Sequence, residues 1–237
     1  MEHHPITWIS LIPVIKGMPG HTVHATIVAL LLLGFAYKAN RQLVAARAGG
    51  THLVPDSSLS IRNLAELLVG GVNDIVSGVL GSRARDYVGL YGSFFIFILI
   101  ANLMGLVPGF LPPTGDFNIT FALGVASFLA YNAIGIHSQG IVNYGKHFLG
   151  PIWWLAWLML PLELIDNLVR PVSLALRLFG NMTGDHMVLE IFTDLTKLVI
   201  PVVFYMLGAF VSLIQAFVFT LLSVIYVSLA LGHDDHH

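Results

Sequence analysis

A stripe of polar residues lies inside a long apolar stretch in the C-terminal half of the chain. Its members, spaced three or four residues apart, are Glu163, Asp166, Arg170, Ser173, Arg177, Asn181 and Gly184. At 3.6 residues per turn, this spacing places them on one face of a single helix. A charged side chain at the centre of a bilayer costs roughly 2.5–3.5 kcal/mol. A membrane helix that carries several such groups on one face is therefore expected to use them, most often along an ion path.

The composition is that of an integral membrane protein. Hydrophobic residues make up 56% of the chain and charged residues only 10%, whereas soluble domains contain about 25% charged residues. A length of 237 residues allows one membrane domain with several helical spans. The absence of cysteine excludes disulfides and thiolate metal sites. The N-terminal segment lacks the basic region of a cleavable signal peptide, so none is expected.

The apolar blocks predict an all-α integral membrane fold with about five membrane helices. We expect an external N-terminus over residues 1–21 and a first span over 22–38. An amphipathic cytoplasmic surface helix is expected over 56–82, followed by a hairpin of two spans over 88–136. Two long channel-forming helices then occupy 151–231. In the 56–82 segment, apolar and polar residues alternate at helical spacing, which fits a helix on the membrane surface or one packed on another subunit.

The last two helices are too long to cross a membrane upright. Arg177 lies 26 residues after Pro151, which corresponds to about 39 Å of helix. The apolar core of a bilayer is only about 30 Å thick. A single helix here must therefore be steeply tilted or bent, and Pro161 and Pro171 could bend it.

Basic residues predict the orientation of the chain. Seven of them fall on one side of the membrane under the five-span arrangement: Lys38, Arg41, Arg47, Arg62, Arg83, Arg85 and Lys146. The loop over 108–118 contains neither Lys nor Arg. The positive-inside rule then places the N-terminus outside and the C-terminus in the cytoplasm.

Arg177 is the leading candidate for a functional residue. Its guanidinium stays protonated at any working pH. It could bind a carboxylate on a partner and lower the pKa of that group, and it could repel a proton or cation passing straight through. The alternative is a structural arginine with a partner on another helix, because Glu163 and Asp166 lie about three to four turns away on the same helix.

Two sets of polar residues could support Arg177. Asn181 lies one turn beyond it and could bond to the guanidinium, to a partner carboxylate or to a neighbouring helix. On the last helix, Gly208, Ser212 and Gln215 form a narrow, mildly polar face that could approach the stripe closely.

His186 lies nine residues past Arg177, half a turn round the helix, so it should face another environment. Histidine suits proton transfer near neutral pH, and Asp185 and Glu190 are close to it in sequence; the alternative is a merely solvated helix end. Glu163 and Asp166 could likewise be solvated end charges. The terminal histidines are interpreted as solvated tails rather than metal ligands, namely His3, His4, His236 and His237.

The run RPVSLALRLFGNM, residues 170–182, resembles the signature of subunit a of F-type ATP synthases, the stator half of the membrane proton channel. The segments NLMGLVPG at 102–109, PTGDFNIT at 113–120 and IQAF at 214–217 are also similar to segments of that family. The resemblance covers residues 88–230, and its central run is highly specific.

The resemblance implies roles for individual residues. Arg177 matches the family's essential arginine, which faces a carboxylate on the rotating c-ring. Asn181 and Gln215 match polar residues near that site and the outer access channel, and Glu163 matches an acidic residue on the cytoplasmic exit side. His186 stands where a glutamate is frequent and Gly208 where a histidine is frequent, which is interpreted as a compensating exchange. Ser173, Asp166 and Asp185 are secondary candidates.

The resemblance also implies the function and the partners. The chain would form two offset half-channels that carry protons to and from the c-ring during ATP synthesis, without catalysing a covalent reaction itself. Its partners would be the ring of c subunits, the peripheral-stalk b subunits and the lipid bilayer of a bacterial cytoplasmic (inner) membrane. No cofactor, metal or nucleic acid is implied.

The residues alone leave two other classes of function open. A self-contained secondary transporter or ion channel is one, although the chain shows no inverted repeat. An intramembrane hydrolase using His and Asp is the other, although neither HExxH nor GxSxG occurs in the sequence.

The predicted orientation can be tested with single cysteines in this cysteine-free chain. An impermeant thiol reagent added to intact cells should label the Glu2→Cys variant and spare His236→Cys, because only the N-terminus is expected outside. Labelling of His236→Cys in intact cells would show that the orientation is wrong.

Overall fold

The computed structural model describes residues 19–48, 60–147, 153–195 and 199–231. Within these ranges the regular secondary structure is helical, and no β-strand occurs. The chain divides into two compact units, Met1–Pro113 and Thr114–His237. The prediction of an all-α membrane protein is confirmed, whereas the single membrane domain over 1–237 stays a prediction.

The described part of the first unit contains three α-helices: α1 (Gly20–Ala48), α2 (Ile61–Leu80) and α3 (Ala84–Met104). Helix α2 begins where the Ser60 hydroxyl accepts a hydrogen bond from the Asn63 backbone N–H at 3.2 Å, a typical N-cap. It ends at Gly81, whose φ of 56° suits glycine. A short 3₁₀ turn then leads into α3.

Helix α2 packs along α3 inside this unit. Val72 and Val76 are fully buried, and a methyl group added at Gly92 of α3 would lie 3.4 Å from the Val72 side chain. Leu64 and Leu67 remain exposed. The helix predicted over 56–82 is therefore present, although residues 56–59 lie outside the described ranges, and its place on the membrane surface stays a prediction.

The second unit contains α4 (Phe117–Gln139), α5 (Ile141–His147), α6 (Ala156–Leu195) and α7 (Val199–Leu231). The Asp116 carboxylate caps α4 by accepting a hydrogen bond from the Asn118 backbone N–H at 2.8 Å. Gly140, with a φ of 78°, separates α4 from α5. The sequence analysis did not predict α5.

Helix α4 runs parallel to α7. The Ser127 hydroxyl donates to the Ser223 hydroxyl oxygen at 2.8 Å, and one turn further along both helices the Tyr131 and Tyr226 rings lie 5.8 Å apart. Ser127 and Ser223 are completely buried. The two hydroxyls therefore satisfy each other inside the unit, as buried polar groups must.

Helix α4 runs antiparallel to α6, and the two approach each other closely. Phe117, at the start of α4, packs edge-on against Phe179 near the middle of α6, at 5.9 Å between ring centroids. A methyl group added at Gly124 would lie 2.5 Å from the Pro171 carbonyl oxygen. Only glycine fits at this crossing, which holds the middle of α6 in place.

Helix α6 is one continuous helix of 40 residues, even though it contains Pro161 and Pro171. The prediction of one long helix in this block is confirmed, and α7 follows it with 33 residues. The 40 residues of α6 measure about 60 Å, twice the apolar thickness of a bilayer. The steep tilt expected from that length stays a prediction.

Four helical stretches in the described ranges are long and apolar enough to cross a membrane. They are Gly20–Val44, Ile61–Met104, Phe117–Gln139 and Pro201–Leu231. Helix α6 does not belong to this group because of its polar stripe. The expected spans are thus present in the first unit, in α4 and in α7. The remaining expected membrane helix is α6, which carries the candidate residues.

The close crossing of α4 and α6 can be tested by adding one methyl group. Gly124→Ala should lower the unfolding free energy in detergent by about 1–3 kcal/mol, because the new carbon meets a backbone carbonyl that cannot move aside. Gly145→Ala in α5 is the matched control, since no atom lies within 4 Å of the added methyl group. Equal stability of the two variants would contradict the close approach.

Candidate functional site

Arg177 projects from the outer face of the second unit. Its neighbours Leu174, Ala175 and Leu178 are buried against the rest of the unit, whereas Arg177 itself is exposed. Within the ranges that the structure describes, no hydrogen bond or ion pair joins Arg177 to another residue. A guanidinium on a membrane helix needs an anion or water beside it, and none of the described residues provides that anion.

Asn181 forms a polar bridge one turn beyond Arg177. Its side-chain amide donates to the Gln215 carbonyl oxygen at 2.8 Å. Gln215 is 4% exposed, whereas Asn181 is exposed. The bond ties α7 to α6 one turn from Arg177.

A second contact between α6 and α7 defines their register. The Phe192 and Phe204 rings stack with centroids 4.5 Å apart. Phe192 lies six residues before position 198 and Phe204 lies six residues after it. Asn181 and Gln215 lie 17 residues before and 17 residues after the same position. The two helices are therefore antiparallel neighbours with a constant register.

This register places His186 and Gly208 at nearly the same level, 12 residues before and ten residues after position 198. Gly208 is buried, and Asp185 and His186 are half-buried. Ser212, one turn from Gly208, is also buried. All of these residues are closer than Arg177 to the end of α6 or the start of α7.

Asp166 and Arg170 neutralise each other within the stripe. The Arg170 Nε donates to Asp166 Oδ2 at 3.1 Å, and the guanidinium lies 5.1 Å from the centroid of the Tyr226 ring. The Asp166 side chain is 60% exposed and that of Arg170 is 19% exposed. Such an exposed pair contributes little stability, but it leaves Arg177 as the stripe's uncompensated cation.

A hydrogen-bonded network joins α4, α5 and α6 beside this ion pair. The Tyr131 hydroxyl donates to the Asn167 side-chain oxygen. The Asn167 amide donates to Asn132 Oδ1 at 3.4 Å, and the Tyr144 hydroxyl donates to the same oxygen at 2.7 Å. Burial raises the pKa of the Tyr144 phenol, so its hydroxyl stays protonated and remains a donor.

The network borders a cavity of about 100 Å³. The cavity is lined by Tyr131, Tyr144, Glu163, Asn167, Arg170, Leu229 and Ala230. Glu163 is half-buried. In the part of the chain that the structure describes, no hydrogen bond or ion pair involves its carboxylate.

The structure brings together only some of the residues singled out in the sequence. Asn181 and Gln215 are in contact beside Arg177, and Asp166 pairs with Arg170. Glu163 lies in the cavity toward the start of α6, whereas Asp185 and His186 lie toward its end. Ser173 is half-buried between Arg170 and Arg177. The four terminal histidines lie outside the described ranges. Within those ranges, no group of three His, Cys, Asp or Glu side chains that could hold a metal ion occurs.

Sequence reasoning missed the network residues Tyr131, Asn132, Tyr144 and Asn167. Tyr131 and Asn132, two adjacent polar residues within the apolar helix α4, could have indicated a polar contact inside the unit. Their partners were not foreseeable, because α5 was not predicted and the register of α4 against α6 depends on the crossing at Gly124.

Comparisons with known proteins identify relatives that match most of this chain. Residues 22–228 match the sequence model of the family described as ATP synthase A chain. The chain is 40% identical to ATP synthase subunit a of Bdellovibrio bacteriovorus over 227 residues, 96% of this chain and 98% of that protein. It is 41% identical to ATP synthase subunit a 1 of Syntrophotalea carbinolica over 91% of this chain and 87% of that one. It is 44% identical to ATP synthase subunit a of Trichlorobacter lovleyi over 85% and 82% of the two chains.

Proposed function

The chain belongs to the ATP synthase A chain family, and we propose that it is the proton-conducting stator subunit of a bacterial F-type ATP synthase. In this role it carries protons to and from a rotating ring of c subunits and catalyses no covalent reaction itself. The observation that carries the proposal is the uncompensated Arg177 on the outer face of α6.

An external carboxylate on the ring is the partner that best suits Arg177. When that carboxylate comes opposite the guanidinium, the positive charge favours its ionised form and lowers its pKa. The proton then leaves the carboxylate, and Arg177 compensates the negative charge that remains. Because arginine keeps its own proton, it also prevents a proton from passing directly between the two sides.

Groups suited to two separate paths lie on either side of Arg177 along α6. Glu163 is 14 residues before it, about 21 Å of helix, and His186 is nine residues after it, about 13 Å. The outer half-channel would contain His186, Asp185 and the Asn181–Gln215 bridge, with Gly208 at the same level. The exit half-channel would contain Glu163. The membrane potential would supply about 2.3 kcal/mol per charge per 100 mV.

The setting of this function is the bacterial inner membrane. The charge distribution supports an external N-terminus and a cytoplasmic C-terminus. The start of α6 and the end of α7 would then lie toward the cytoplasm. The c-ring would contact the Arg177 face, and the peripheral-stalk b subunits would bind elsewhere on the chain. No cofactor, metal or nucleic acid takes part.

A self-contained transporter remains the second candidate, and the position of Arg177 argues against it. In such transporters, charged groups face the interior of the helix bundle. Here Arg177 points away from the unit that contains α6, where a separate subunit can reach it.

Removal of the Arg177 charge tests the proposed function. Arg177→Ala should abolish ATP-driven proton pumping and ATP synthesis in vesicles that contain the whole complex, and should leave the chain inserted. Arg177→Lys should also fail, since a lysine lacks the planar guanidinium and can lose its proton when desolvated. Arg85→Ala, at an exposed arginine of α3, is the matched control. Near-normal coupled synthesis in Arg177→Ala would reject the proposal.

A graded series at Gly208 tests the outer half-channel. If the imidazole of His186 occupies the space beside Gly208, then Gly208→Leu should fill that space and slow proton flux severalfold while the complex still assembles. Gly208→Ala adds only one methyl group and should have a smaller effect. Unchanged flux in the leucine variant would count against this assignment.

A further inference from the structure

We propose that the Tyr131 hydroxyl takes the place of the backbone N–H that Pro171 lacks, and that this contact fixes the angle between the two halves of α6 and thereby the position of Arg177. The inference rests on the proposed function, since it makes Tyr131 a positioning residue for the exchange between Arg177 and the ring carboxylate. Tyr131 acts through the backbone of α6 and does not touch the carboxylate itself.

Pro171 interrupts the hydrogen bonding of α6. In an α-helix, each backbone N–H donates to the carbonyl oxygen four residues earlier, and proline has no N–H. The Asn167 carbonyl therefore lacks its usual helical donor. The proline ring also crowds this carbonyl, which is why helices commonly bend at proline. Because α6 continues as one helix through this position, the freed carbonyl needs a donor from elsewhere.

Tyr131 of α4 supplies that donor. Its hydroxyl oxygen lies 3.3 Å from the Asn167 carbonyl oxygen and also donates to the Asn167 side-chain oxygen. Tyr131 and Asn167 are both buried, so bulk water is kept away from this carbonyl. Buried carbonyl groups are nearly always hydrogen-bonded, and here a phenol replaces the helical N–H.

The packing of α4 holds the phenol in place. The Tyr131 ring contacts the rings of Phe128 and Tyr226, with centroids 5.5 and 5.8 Å away. Two turns earlier on α4, Gly124 allows the close approach to the Pro171 carbonyl oxygen. Helix α4 thus meets the backbone of α6 at both ends of the turn that contains the proline.

The other proline of α6 lies in a different environment. Pro161 is exposed, and the carbonyl that it frees belongs to Trp157, which is exposed as well. Both residues lie in the first turns of α6, which begins at Ala156. Pro161 therefore offers a control with the same backbone chemistry outside the buried contact with α4.

The contact lies between the functional groups at the two ends of the stripe. Pro171 is eight residues after Glu163, about 12 Å of helix, and six residues before Arg177, about 9 Å. Beyond the proline, the Asn181–Gln215 bridge holds α6 to α7. A change of angle at the proline would therefore alter how the Arg177 half and the Glu163 half of α6 are placed relative to each other.

Spin labels can show whether the hydroxyl fixes this angle. Leu129→Cys on α4 and Trp157→Cys on α6 form one pair at exposed positions of the cysteine-free chain. A change of about 20° at the proline would move position 157 by about 7 Å. In the whole complex, with the other subunits free of cysteine, Tyr131→Phe should shift or broaden the distance between these two labels. No change in this distance would overturn the inference.

A second pair of labels is the matched control. Leu129→Cys with Met187→Cys joins α4 to an exposed position of α6 beyond the proline. Phe179 packs on α4 in this part of the helix, so the distance between these labels should stay the same in Tyr131→Phe. An equal change in both pairs would indicate a general loosening of the unit and would also overturn the inference.

Restoring the missing N–H separates this role from a merely structural one. Pro171→Ala returns the helical donor to the Asn167 carbonyl. In that background, Tyr131→Phe should have less than about half of its effect on the first label distance, because the two changes act on one carbonyl. Pro161→Ala restores an N–H elsewhere and should leave the effect of Tyr131→Phe complete. Equal effects in the two proline backgrounds would overturn the inference.

Proton pumping then tests the link to Arg177. Tyr131→Phe should slow ATP-driven pumping severalfold on its own, and by less than about twofold when it is added to Pro171→Ala. A changed label distance with unchanged pumping would overturn the positioning role.

The two proposals fail in different ways. A label distance that Tyr131→Phe leaves unchanged would overturn this inference and leave the role of Arg177 untouched. Normal coupled synthesis in Arg177→Ala would reject the proposed function, whatever the label distances are.

Discussion

One guanidinium on the outer face of an apolar helix constrains the rest of this structure. Arg177 cannot lose its proton, and no partner for it occurs among the described residues. Its charge is therefore stable only when water or an anion from another molecule lies beside it. The proposed stator, which would exchange charge with a moving ring, benefits from this arrangement because the partner can come and go while the arginine remains in place.

The second unit holds α6 so that this one charge is left uncompensated. The crossing of Gly124 and Pro171 anchors the helix from α4, and the bond from Asn181 to Gln215 anchors it from α7. The other arginine of the stripe is already paired with Asp166. The stripe thus contains an ion pair between Asp166 and Arg170, a carboxylate at the cavity in Glu163, and an uncompensated cation on the outer face in Arg177.

Much of this could be predicted from the sequence, because it depends on local periodicity. The spacing from Glu163 to Gly184 required one helix, and α6 is one helix through both of its prolines. The expected spans also occur in α1, α3, α4 and α7. In each case the signal was the contrast between apolar and polar residues along the chain. This contrast is strong in membrane proteins because a span must be mostly apolar, whereas charged residues collect in the loops.

The features that escaped prediction depend on contacts between distant residues. Asp166 was expected to be a solvated end charge or a secondary candidate, and its ion pair with Arg170 was not foreseen. Asn167 was not singled out, although it meets Tyr131 and Asn132 of α4. These contacts follow from the helix register, which a single missing side chain at Gly124 determines, and periodicity carries no information about such register.

The central claim is that the outer face of α6 at Arg177 meets the carboxylate-bearing helix of the ring. The most direct measurement is disulfide formation from Gly184→Cys, about 20° from Arg177 round the helix axis and with no atom within 4 Å of its added carbon. Cysteines placed along the ring helix supply the second thiol, and Val172→Cys, exposed but about 140° round the axis, is the control. We expect cross-links between Gly184→Cys and the ring subunit, and none from Val172→Cys. Absence of any cross-link from Gly184→Cys, or equal yields from both positions, would contradict the account.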